Sequence, residues 1–95
     1  MKLTNIDLEE IGNKIVKGHY EEPAEKLIEI IEYSQKNQNK EITYKSLNLL
    51  NLICDKDPEI SLEIVKRISN LINDSDSWIR VIYLEIVYQI SIFRP

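Results

Sequence analysis

The stretch Ile42-Thr43-Tyr44-Lys45-Ser46-Leu47-Asn48-Leu49-Leu50-Asn51-Leu52-Ile53 returns 37 residues later as Ile79-Arg80-Val81-Ile82-Tyr83-Leu84-Glu85-Ile86-Val87-Tyr88-Gln89-Ile90. The residue types differ, but the apolar positions coincide. Ile42 falls on Ile79, Leu47 on Leu84, Leu49 on Ile86, Leu50 on Val87 and Ile53 on Ile90. The same shift places Leu27 on Ile64, Ile28 on Val65 and Ile31 on Ile68. Self-similarity at this period is the signature of stacked helical hairpins. Such arrays usually bind other macromolecules rather than do chemistry.

Composition points the same way. At 95 residues the chain is expected to form one domain, residues 1–95, with a single modest core. Only two Gly and three Pro leave few places for turns, which favours long helices. Isoleucine is abundant without the period-two alternation of strands, so these side chains read as helix-core residues.

Five helices cover nearly the whole chain. The first runs from about Asn5 to Lys17, with Leu8, Ile11 and Ile15 on one face and Glu9, Glu10, Asn13 and Lys17 on the other. Gly18-His19-Tyr20 interrupts it. The second begins near Pro23, carries Ala24, Leu27, Ile28 and Ile31 inward, and ends in the polar run Gln35–Lys40. The third runs from about Glu41 to Cys54. Asp57-Pro58 is the clearest start signal, a capping carboxylate followed by a residue with preset φ. The fourth helix follows, with Ile60, Ile64, Val65, Ile68, Leu71 and Ile72 at helical spacing. Asn73-Asp74-Ser75-Asp76-Ser77 is a dense turn, and the fifth helix runs from about Trp78 to Phe93. Short connections imply antiparallel neighbours. The expected fold is all-α: a short α-solenoid of about five antiparallel helices, two hairpins preceded by an N-terminal capping helix.

The segment Asp74–Val87 resembles the HEAT repeat. Asp76, Ile79, Arg80, Leu84 and Val87 match that family's acidic turn, aliphatic residue, basic residue and following aliphatic positions. The earlier copy, Asn39–Leu47, keeps the aliphatic positions and lacks the Asp and the Arg. Ile82 and Tyr83 stand where the family usually has Ala. The resemblance covers roughly residues 23–93 and implies a right-handed α-solenoid with a scaffold or adaptor role. It also implies an ion pair between Arg80 and a turn acid, Asp76 or Asp74.

The fifth helix carries the sharpest functional signal. At about 100° per residue it has a broad apolar face of Ile79, Ile82, Tyr83, Ile86, Ile90 and Phe93. A second stripe, Val81, Leu84, Tyr88 and Ile92, lies almost opposite, bordered by Arg80, Glu85 and Gln89. On the third helix the equivalent positions, Tyr44, Leu47, Asn51 and Asp55, are half polar. A last helix that is apolar on two sides expects a neighbour on each. The expectation is a protein interface, to a partner or in a homodimer, formed by Val81, Leu84, Tyr88 and Ile92 with Arg80, Glu85 and Gln89 at its margins. Two other readings compete: the helix tilts and buries both faces under the fourth, or the chain belongs to a longer array.

No residue pattern announces catalysis, a metal or a cofactor. His19, the only histidine, has no second ligand cluster and reads as a loop residue. Cys54 reads as a small core residue without an adjacent base. Glu25, Glu29 and Glu32, accompanied by Lys26 and Lys36, read as a solvated helix face. Trp78 reads as a hairpin corner, and there is no Gly-rich phosphate loop. The net charge of −4 counts against nucleic acid, although Lys66 and Arg67 keep a nucleic-acid-binding HEAT-like protein as the first rival. An accessory subunit of an enzyme complex is the second. No apolar run reaches the length of a membrane span. The single cysteine and a start, Met1–Asn5, without an apolar signal region set the expectation of a cytoplasmic protein.

Overall fold

The computed structural model describes residues 5–69 and 77–93, with side chains placed at 7–69 and 80–88. Five helices account for nearly all of this: α1 (Asn5–Val16), α2 (Glu21–Lys36), α3 (Lys40–Lys56), α4 (Pro58–Ile68) and α5 (Ser77–Phe93). No strand occurs among the described residues. Leu71, Ile72, the acidic turn with Asp74 and Asp76, and Pro95 lie outside them.

Two of the helix ends are closed by the same device. After α1, Gly18 adopts φ +92°, its N–H donates to the Ile15 carbonyl at 3.0 Å, and His19 N–H donates to the Lys14 carbonyl at 3.0 Å. This is a Schellman stop, which needs one residue in the left-handed region. After α2, Gln38 takes that role at φ 56°, with Gln38 N–H on Gln35 O at 3.2 Å and Asn39 N–H on Ser34 O at 2.8 Å. Asn39 then starts α3, its side chain accepting from Ile42 N–H at 3.2 Å. The Asp57-Pro58 signal is realised as read: the Asp57 carboxylate accepts from Glu59 N–H at 3.2 Å and Pro58 opens α4. By contrast α2 starts two residues ahead of Pro23, at Glu21, with no side-chain cap from Tyr20. Pro23 is still within the first turn, where the missing N–H goes unneeded.

The inward faces form one cluster. Leu8, Ile11 and Ile15 of α1 join Ala24, Leu27, Ile28, Ile30 and Ile31 of α2, Leu47, Leu50 and Ile53 of α3, Ile64 and Ile68 of α4, and Ile82 and Ile86 of α5. Within this core two hydroxyls, Ser34 of α2 and Thr43 of α3, sit 2.5 Å apart. Each also lies within reach of a carbonyl of its own helix, Ile31 O at 3.1 Å and Asn39 O at 3.2 Å, so both hydroxyls have partners, whereas the buried Ser46 hydroxyl and Asn51 Oδ1 have none among the described residues. Fully buried Ser46 marks close approach on α3, whereas its counterpart under the 37-residue shift, Tyr83, is half-buried.

Contacts follow chain order. α3 packs against each of the other four helices; α1 packs on α2 and α3; α2 packs on α4; α5 packs on α3 and α4. Each helix thus touches only its first and second neighbours in sequence. A Cβ added at Gly12 would lie 3.7 Å from Leu49 Cδ2, which places α1 against the Leu49 side of α3. The Asn51 amide of α3 faces the Glu85 carboxylate of α5 at 3.5 Å, so α5 lies on the Asn51 side. The molecule extends 37 × 32 × 17 Å. The short dimension is about two helix layers, given interaxial spacings of about 8–10 Å.

Gln38 bears the cost of a left-handed conformation that glycine adopts freely. Gln38→Gly should therefore raise unfolding stability by roughly 0.5–1 kcal/mol, measured by urea denaturation, with an unchanged m-value.

Candidate interaction surface on the last helix

α5 contains two charged residues in its 17 positions, Arg80 and Glu85. Its core side presents Ile82 and Ile86, both buried, with Tyr83 and Val87 half-buried. The other side is open. Val81 is 45% exposed, Leu84 58% and Tyr88 66%. Tilting of the helix to bury both faces within one subunit is therefore not what the chain does at these three positions. Arg80 and Glu85 are exposed as well. Glu85 leans toward Asn51 of α3, and its contact at 3.5 Å ties it to the neighbouring helix. Ile92 and Gln89 lie outside the residues whose side chains are described, as do Trp78 and the turn acids expected to pair with Arg80.

The internal repeat turns this exposure into a comparison. Tyr44, Leu47 and Asn51 on α3 occupy the positions of Val81, Leu84 and Tyr88 on α5. Leu47 lies one turn before Asn51 and so shares its face, the face on which α5 packs. Leu47 is 0% exposed while Leu84, at the same place in the next copy, is 58% exposed. What closes over Leu47 has no counterpart over Leu84 among the described residues.

The comparison extends to α4, where periodicity had singled out other residues. Glu25 and Ile28 of α2 face α4: Glu25 pairs with Arg67, and Ile28 lines a cavity of about 510 Å³ with Ile60 and Ile64. Their counterparts on α4 are Leu62, which is exposed, and Val65, which is half-buried. Val65 packs against the core, so Leu62 is the apolar residue that α4 leaves open beside those of α5 among the described residues.

Other candidate residues take quieter places. The glutamates of α2 are solvated and paired, Lys26 with Glu29 at 3.9 Å and Lys36 with Glu32 at 3.7 Å. Arg67, half of the basic pair that supported a nucleic-acid reading, is engaged by Glu25. His19 is exposed beside Glu21, Glu22 and Asp57, and no group of three metal-ligating side chains occurs among the described residues. Cys54 is buried, and its surroundings push the thiol up to about 12, first through burial and then through the nearby Asp57 carboxylate. A thiol held neutral to that degree is a packing residue. No described helix is long and apolar enough to cross a membrane.

Two measurements check this assignment. Leu47→Ala should cost about 2–5 kcal/mol of stability, whereas Leu84→Ala in the monomer should change it by less than about 0.5 kcal/mol, although both are leucines in the same repeat position. Because the Cys54 pKa is raised by folding, the unfolded chain gives up that proton first. Its contribution is neutral below about pH 8 and turns destabilising as pH rises toward 12. Thermal midpoints taken at about pH 8 and about pH 10.5 should therefore fall further for the wild-type chain than for Cys54→Ala.

Comparison with protein families, with characterised proteins and with solved structures returns no match to this chain, so the HEAT resemblance rests on its own residues.

Proposed function

We propose that this chain is a non-enzymatic protein–protein interaction module, a short HEAT-like α-solenoid that docks a partner protein on its C-terminal helix. The neighbour-to-neighbour contact order and the two-layer thickness support the solenoid reading, with antiparallel helices alternating between the layers. One observation carries the functional part: Leu84 is open where Leu47, its repeat equivalent, is closed.

The docking chemistry follows from the residues. Val81, Leu84 and Tyr88 form a stripe at spacings of three and four, the pattern that a second helix can seat against. In the sequence, Ile92 continues the same spacing. Tyr88 supplies the large amphipathic side chain typical of an energetic anchor. Arg80 selects orientation at the rim, where charges guide encounter more than they add affinity. Glu85 is partly committed to Asn51, so polar selection falls mainly to Arg80.

In its native cells, the tagged chain should elute from size exclusion as a complex larger than its own 11.2 kDa. The double variant Leu84→Glu, Tyr88→Glu should return it to monomer size with its helical circular dichroism intact. Elution of both forms as monomers would sink the proposal.

A further inference from the structure

We infer that the partner on this face is a second copy of the chain, joined by a twofold axis through the open end formed by α4 and α5. The inference rests on the docking reading above and names its occupant.

Register describes what is missing. Within the chain, the α2–α3 hairpin is covered by the α4–α5 hairpin: Glu25 reaches Arg67, and the Asn51 face of α3 receives α5. The 37-residue shift carries the buried Ile28 and Leu47 and the half-buried Asn51 onto Val65, Leu84 and Tyr88, and aligns Glu25 and Tyr44, themselves exposed, with Leu62 and Val81. The five later residues are exposed or half-buried, and all five are uncharged. The surface asks for apolar helices of the kind that α4 and α5 themselves provide.

Charge selects the copy and its orientation. The chain carries a net −4, and α2 alone holds Glu21, Glu22, Glu25, Glu29 and Glu32. Two copies meeting through that side would bring acids together. Meeting through α4 and α5, each presents Glu59, Glu63 and Glu85 against Lys66, Arg67 and Arg80, a balanced set, so like-charge repulsion is smallest there. The opposite end of the molecule offers no match among the described residues. The outward positions of α1 described there include Glu9, Glu10, Asn13, Lys14 and Lys17, all exposed, with Val16 as their one exposed apolar neighbour. Docking that end onto α5 would set charges against an apolar stripe, and repeated head to tail it would give an open fibre. Pairing the α4–α5 ends sets apolar against apolar and closes after two copies.

Area sets the strength. With α5 about 25 Å long, α4 about 16 Å long and each about 10 Å wide, the end offers a footprint of roughly 400 Å². Specific interfaces bury about 800 Å² of accessible surface per partner, so a footprint about half that size makes the pairing weak and dependent on concentration.

Sedimentation velocity of the purified chain, from about 1 to about 500 μM, should show growth from 11.2 kDa toward twice that mass. Leu84→Glu should weaken the association by about 100-fold or more, since it buries an unpaired charge, and leave the thermal midpoint of the monomer unchanged. In a Cys54→Ala background, Leu84→Cys should give a disulfide-linked dimer on mild oxidation, and Val16→Cys should not. A purified chain that stays monomeric throughout, while the cellular complex is still lost in the Leu84→Glu, Tyr88→Glu variant, overturns the second copy and leaves the docking reading standing with a different protein as occupant. Efficient linkage between Val16→Cys and Leu84→Cys chains overturns the twofold arrangement in favour of head-to-tail contact. A monomer in both settings, insensitive to the substitutions, overturns both.

Discussion

The α3 helix is enclosed from both sides, and the rest of the molecule depends on that enclosure. Its Leu47, Leu50 and Ile53 are fully buried, α1 lies against its Leu49 side, and α5 lies against its Asn51 side. No other helix touches all of its fellows. The apolar surface removed from water here is the main source of cohesion in a chain with few other resources. Its ion pairs are exposed and contribute little, and its one cysteine forms no bridge. Because a helix between two neighbours sets the standard for the repeat, it also shows what the last helix lacks. The exposure of Leu84 has meaning chiefly because Leu47 has none.

Much of this was legible in the residues, where local chemistry decided the outcome. Asp57-Pro58 starts a helix because a carboxylate and a preset φ act within one turn, and tertiary contacts had nothing to override. Gly18 stops one because the left-handed conformation is cheap there. The apolar stripes of α1, α2 and α4 fell inward because spacings of three and four specify a single face. The outward stripe on α5 was legible for the same reason, at the three positions whose side chains are described.

What was not legible depended on partners distant in sequence. Gln38 carries no signal for a left-handed conformation; the hydrogen bonds of Gln35 and Ser34 impose it. The α2 start ahead of Pro23 has no side-chain cap to announce it. Glu85 was placed at the rim of the stripe by its angle on the helix, and Asn51, 34 residues earlier, draws it toward α3. Leu62 was passed over because it falls off the dominant Ile60–Ile64–Ile68 face. Its alignment with Glu25 under the repeat shift was the available signal, and that signal gains force once Glu25 is seen to face α4.

The contact order of the helices has a kinetic consequence. Since each helix rests on partners one or two places away along the chain, no stage of assembly must gather remote segments across a long, unstructured loop. Closure entropy is settled in small instalments, the condition under which helical chains reach the native state within microseconds to milliseconds. The same locality works in reverse. Departure of either end helix, α1 or α5, disturbs only two others directly, so opening of this chain should begin at an end as a partial, subglobal event rather than in one step.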